Sequence, residues 1–240
     1  AVYAPTAPHW PLHYPPGWEE RFTGAFDAGF DELCSERMAG ALNENILPAN
    51  ASTQSCNKEA EPWNALPTQE QQSFIKAMEI YAAMVAHLDE DIGRILETLE
   101  QQGKMDNTWI IFMNDNGPQG GALDARLIGG RETSPMNNSL ANLGKPDSWA
   151  SVGQGWADAS SSPYRNTKGS PYEGGMRVPA FIWHGSAVTS GSIDHQFLTL
   201  MDIMPTVLDI ADIDPPQGNF KGRNVLPIRG KSMVPLLAST

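Results

Sequence analysis

Three short stretches of this chain hold side chains suited to chemistry. The first is Asn114-Asp115-Asn116-Gly117, which stops an apolar run, Thr108-Trp109-Ile110-Ile111-Phe112-Met113. Adjacent carboxylate and amide oxygens suit a hard cation such as Ca²⁺ or Mg²⁺. Asp, Asn and Gly are equally the residues of a plain strand-to-turn junction. Two adjacent donors also fall short of the roughly six to eight oxygens that calcium takes, so further ligands must come from elsewhere. The second stretch is Ser162-Pro163-Tyr164-Arg165-Asn166-Thr167-Lys168-Gly169-Ser170-Pro171. Lys168 there is either a compact charge for an anion or a solvated surface lysine. Glu173 stands within reach of Lys168 or Arg177. The third is Ala7-Pro8-His9-Trp10-Pro11, where prolines and a tryptophan stiffen the backbone around an imidazole. That setting serves a histidine aimed at a ligand, or one merely packed in a Pro-rich loop. His13, His87, His184 and His195 show no partner pattern and read as structural.

The elements around these residues set where they stand. Residues 1–18 are Pro-rich and exclude a regular helix, with Val2 and Tyr3 reading as the end of a strand. A short helix is expected around Asp31–Leu42, and residues 48–67 read as a loop. Thr68, with Glu70 and Gln71 behind it, opens a helix in the manner of a capping box. Phe74, Met78, Tyr81, Val85, Leu88, Ile92, Ile95 and Leu99 recur at steps of three and four, which makes one apolar helical face. Gly103 closes it. Thr108–Met113 and Val178–Trp183 are short, continuous apolar runs, predicted as buried strands of a parallel sheet. Residues 118–160 are rich in Gly, Ser and Asn without a clear period and read as a long loop. Gly174-Gly175 before the second strand permits close backbone approach or positive φ. A helix is predicted from Asp202 to about Ala211, then a loop-like tail with a last helical turn in Ser232–Leu237. The order helix, strand, loop, strand, helix predicts an α/β sandwich.

Composition narrows the class. With 240 residues, the chain can bury a sizeable core. Its net charge of -12 argues against nucleic acid, whose phosphates need clustered Lys and Arg. No apolar run is long enough to span a membrane. Cys34 and Cys56 leave a disulfide open. With the sequons at Asn50 and Asn137 they tilt the compartment slightly toward secreted or periplasmic. The abrupt start is read as a chain that begins inside a larger protein.

Taken together, several stretches resemble the sulfatase family of the alkaline-phosphatase-like superfamily. They are APHWPL (7–12), MEIYAAMVAHLDEDIGRILETLEQQGKMDNTWIIFMNDNG (78–117), NSLANLGKPDSWASVGQGWA (138–157), SPYRNTKGSPYEGGMRVPAFIW (162–183) and DIMPTVLDIADI (202–213). The third stretch is similar to bacterial- and fungal-type arylsulfatases. The resemblance implies a mostly parallel sheet sandwiched by helices, with residues 1–240 as the central part of one catalytic domain. It implies that Asp115 and Asn116 bind the active-site calcium, that Lys168 contacts the sulfate, and that His9 contacts the sulfate or its ester oxygen. The expected substrate is a small sulfate ester.

Family members carry a Cys or Ser in C/S-x-P-x-R, oxidised to a formylglycine whose hydrate attacks sulfur. Cys34 and Cys56 do not fit that motif, whereas Ser161-Ser162-Pro163-Tyr164-Arg165 fits literally. The family's nucleophile, however, lies before the His9 segment and opens a helix, while this pentapeptide runs into a turn and occupies the slot of the sulfate lysine. The formylglycine is therefore expected in an N-terminal part outside this sequence, the C-terminal subdomain is missing as well, and the 240 residues alone are expected to be inactive. Two other readings compete. One is a phosphoester hydrolase of the same superfamily, disfavoured because no His follows Asp115-Asn116-Gly117. The other is a non-catalytic remnant that binds calcium or an anion.

Overall fold

The computed structural model describes residues 1–18, 20–50, 60–126 and 136–237. The chain divides into two compact units, Ala1–Gln101 with Met113–Ala180, and Gln102–Phe112 with Phe181–Thr240.

The first unit is built on two helices, α1 (Phe30–Asn43) and α2 (Thr68–Gln101). The expected stop of α2 is seen, with Gly103 at φ 63° just beyond it. Its start differs from a capping box. Gln71 reaches back past Thr68 and donates its amide to the Trp63 carbonyl at 2.9 Å. The expected apolar face is buried only in part. Burial concentrates on Ala77, Met78, Ile80, Ala83 and Met84, while Val85 and Ile95 are exposed. Partners of the second half are polar instead, with Tyr3 donating to Asp91 and Arg21 paired to Glu90. Val2 and Tyr3 form no strand, contrary to expectation.

Residues 118–160, predicted as loop, contain a further helix, α3 (Gln154–Ser161). Six of its eight residues are buried, so it shows no one-sided period, and its small side chains mimic a loop composition. Trp156 of α3 is fully buried and donates its indole N–H to the Phe74 carbonyl. Phe30, Trp63 and Trp156 meet with ring centroids 5.1 to 6.0 Å apart. Contacts of this kind contribute about 0.5–1.5 kcal/mol each beyond the area they bury. The only buried charge on α2, Glu79, accepts from the Gly24 N–H and pairs with Lys76 at 3.6 Å, as burial of a carboxylate requires. Cys34 is fully buried and disulfide-bonded; Cys56 and the sequon residues after Asn50 lie outside the described residues.

Strands β1 (Ile110–Met113) and β2 (Ala180–Trp183) pair in a two-stranded sheet. Phe112 stacks on Phe181, and Trp109 meets His184 at a tilt of 39°. β2 is not the buried strand the sequence predicted. Phe181 is 55 % exposed and Trp183 36 %. Burial of both faces needs a layer on each, and a mostly parallel sheet between helix layers is absent among the described residues.

In the second unit, α4 (Ile203–Ile210) follows a 3₁₀ turn opened by a capping box between Thr199 and Asp202. The tail is not all loop, since β3 (Asn219–Phe220) and β4 (Arg223–Asn224) form a hairpin. Lys221 and Gly222 turn it with φ of 50° and 78°, the positive values that tight hairpins use. A last turn, α5 (Val234–Leu237), packs on α4.

Candidate functional site

His9 sits on the Pro-rich arm of the first unit, which is tied down on both sides. Leu12 N–H donates to the Ala150 carbonyl and Tyr14 N–H to that of Gly144, and Leu12 is 1 % exposed. The His9 ring leans on Trp10, and Trp10 meets the edge of Trp149. His9 Nδ1 lies 2.6 Å from the Trp10 carbonyl oxygen. A carbonyl only accepts, so the proton is on Nδ1 and Nε2 is left as the acceptor. Nε2 faces the Nζ of Lys168 at 3.4 Å. An ammonium only donates, so the two contacts agree on one tautomer. His9 is exposed and Lys168 half-buried, which leaves the pair open to an incoming anion.

Lys168 stands on a loop held mostly by backbone. Its own N–H donates to the Pro118 carbonyl at 2.8 Å, and Gly174 N–H donates to that of Arg165. Thr167 beside it is buried. Glu173 pairs with Arg177 rather than with Lys168. Ser161 closes α3, is buried, and donates its hydroxyl to the Asp158 carbonyl.

The Asn114–Gly117 turn follows β1 and is clamped to the same loop. Asn114 N–H donates to Pro179 and Gly117 N–H to Gly175. A Cβ on Gly117 would lie 1.9 Å from the Gly174 carbonyl oxygen, so only glycine permits this approach. Gly174 is equally tight, since its own Cβ would come 1.9 Å from the Asn166 oxygen. Close approach, not positive φ, explains this glycine pair. Asn116 donates its amide N–H to the Gly117 carbonyl, which leaves its side-chain oxygen for a ligand. Asp115 is exposed. The two donors fit a hard cation in kind, but no group of three or more His, Cys, Asp or Glu side chains poised for a metal exists among the described residues.

Beyond Gly117 the chain runs as a ladder against the segment leading into α3. Ser151 N–H donates to Leu123, Ser151 Oγ to Ala122, and Ala125 N–H to Trp149. The last rung is a side chain. Gln154 Oε1 accepts from the Gly121 N–H at 2.7 Å, and Nε2 donates to Asp158 Oδ1 at 2.7 Å. Within the ladder, the Arg126 guanidinium bonded to Asp124 holds that carboxyl below its ordinary range. Gln154 escaped the sequence reading because α3 itself did.

The Sulfatase family profile matches residues 1–213. The chain belongs to the sulfatase family. An uncharacterized sulfatase of Schizosaccharomyces pombe is 38 % identical over 97 % of this chain and 43 % of its own length. The Arylsulfatase of Klebsiella aerogenes is 34 % identical over 95 % of this chain and 49 % of its own length. The sulfatase chain thus spans less than half the length of these two relatives. A solved structure of a protein in complex with its substrate D-glucosamine-2-N,6-O-disulfate aligns with a TM-score of 0.43 at 25 % identity, over 69 % of this chain and 24 % of that one. No described helix of the sulfatase chain is long and apolar enough to cross a membrane.

Proposed function

We propose that this chain supplies part of the active site of an arylsulfatase-type sulfuric ester hydrolase. The observation that carries the reading is the His9–Lys168 pair at 3.4 Å, in a chain of the sulfatase family. Lys168 places positive charge against the sulfate oxygens, where negative charge grows as the S–O ester bond breaks. His9 keeps its Nδ1–H on the Trp10 carbonyl, so Nε2 is aimed at the same point and, once protonated, gives a proton to the departing ester oxygen. Asp115 and Asn116 are the residues that would hold a divalent cation, calcium in this reading. Bound there, it would supply further positive charge against the sulfate.

The nucleophile of this reading is a formylglycine on a segment other than the 240 residues, which belong to the middle of a longer catalytic domain with a mostly parallel sheet between helices. The shares of 43 % and 49 % of the relatives' lengths support that view. Ser161 is a poor alternative, because its hydroxyl is buried and engaged at the end of α3. Mass spectrometry of the protein that carries this chain, with metal analysis and an aryl sulfate assay, tests the proposal. Formylglycine, about one calcium per site and turnover are the expected results; an active protein without an aldehyde residue would overturn it.

A further inference from the structure

We infer that Gln154 is a positioning residue that holds the Asp115–Asn116 turn and the Lys168 loop in register. The inference rests on the sulfatase reading of those residues. Gln154 joins three things at once. It accepts from the Gly121 N–H, donates to the buried carboxylate of Asp158, and packs against Gly120. A Cβ on Gly120 would lie 2.3 Å from Gln154 Oε1 and 2.5 Å from Thr167 Oγ1, so the turn is wedged between α3 and the residue before Lys168. Asp158 is itself anchored, 3 % exposed, with Oδ2 accepting from the Ala60 N–H at 3.3 Å.

The chain between β1 and the ladder is short. Gly117 N–H bonds Gly175, the Pro118 carbonyl bonds Lys168, and Gly121 N–H bonds Gln154. Asn116 and Lys168 are therefore both tied to one piece of backbone, and Gln154 is the side chain that fixes it at Gly121, one residue before the Ser151 bonds to Ala122 and Leu123 begin. The amide is suited to this place. It needs an acceptor for Gly121 and a donor for Asp158 at once, and a carboxamide offers both in one planar group whatever the pH, whereas an imidazole does so only when neutral. Ser151, nearer the middle of the ladder, ties Ala122 and Leu123 and makes no hydrogen bond to Gly120, Gly121 or Thr167.

The test compares Gln154→Leu with Ser151→Ala in the protein that carries this chain. Three readouts are taken: aryl sulfate kinetics, thermal midpoint, and amide hydrogen exchange by mass spectrometry. Gln154→Leu is expected to speed exchange over residues 117–121 and 167–168 and to lower kcat roughly ten- to a hundredfold, with KM changed less than about threefold. Ser151→Ala is expected to lower the midpoint at least as much while kcat stays within about threefold of wild type. Equal effects of the two variants on kcat would show that Gln154 only supports the fold and would overturn the inference. So would unchanged exchange at 117–121 in Gln154→Leu. An inactive wild-type protein would overturn the sulfatase reading instead, while the exchange comparison would still judge the clamp.

Discussion

Nζ of Lys168 and Nε2 of His9 lie 3.4 Å apart, although the residues are 159 positions apart in the chain. One sits on a turn-rich loop and the other on a Pro-rich arm. The fold joins them through backbone bonds that hold each segment from outside: Leu12 to Ala150 for the arm, Lys168 to Pro118 for the loop.

His9→Ala removes the proposed proton donor and leaves Lys168 without its neighbour. Turnover of an aryl sulfate is expected to fall about a hundredfold or more, the usual scale for a lost proton donor. The loss should be smaller for substrates whose leaving group is more acidic, because they need the proton less. Steady-state rates over a series of ring-substituted aryl sulfates measure this, and an equal loss across the series would contradict the role.

Asp115→Ala takes away the one carboxylate of the Asn114–Gly117 turn and leaves only the amide oxygens of Asn114 and Asn116. Calcium content and turnover are expected to fall together. Elemental analysis alongside rates checks this. Full calcium retention would place the cation elsewhere.

Gly117→Ala would drive a methyl into the Gly174 carbonyl oxygen, at 1.9 Å before any relaxation. Backbone on both sides leaves no flexible side chain to move away. A loss of about 1–3 kcal/mol is expected from overpacking, together with lower turnover because the two loops are pushed apart. Urea denaturation followed by fluorescence measures the first. A wild-type midpoint would mean the loops do not meet in this way.

Acid should weaken the second unit through Asp202. Backbone bonds from Lys231 and Thr199 hold its carboxyl below the ordinary range. A carboxyl lowered in the fold stabilises it above the unfolded value, near 3.9, and that contribution fades as pH falls through the folded value. Asp202→Asn is therefore expected to be less stable than wild type at neutral pH, by roughly 0.5–2 kcal/mol as for a lost cap. The gap should close as pH falls below the unfolded value and through the lower folded one. Thermal melts of the two proteins across pH 2–7 test the sign, and a gap that widens in acid would contradict it.

Local features were legible where the chemistry is local. The apolar steps along Thr68–Gln101 and the glycine after them marked a long helix. Phe30–Asn43 lay within a residue of its predicted ends. Burial was harder to read. Phe181 and Trp183 look like core residues from their types, but a strand is buried only when other layers cover it. α3 was invisible because nearly all of it is buried, which leaves no polar face to set a period. Gly174 and Gly175 suggested a close approach or a positive φ without saying to what, and Gly117 read only as a turn residue. Gln154 could not be read at all, since its partners Gly121 and Asp158 become meaningful only once the ladder and α3 are in place.

The central claim is that Lys168 grips the sulfate while the cation is held separately, by Asp115 and Asn116. Its most direct test is the rate of aryl sulfate hydrolysis by the Lys168→Ala variant of the protein that carries this chain, with calcium measured on the same samples. The expected result is a rate about a hundredfold or more below wild type, the scale of a lost oxyanion partner, at nearly unchanged calcium content. Wild-type turnover by Lys168→Ala would contradict the account.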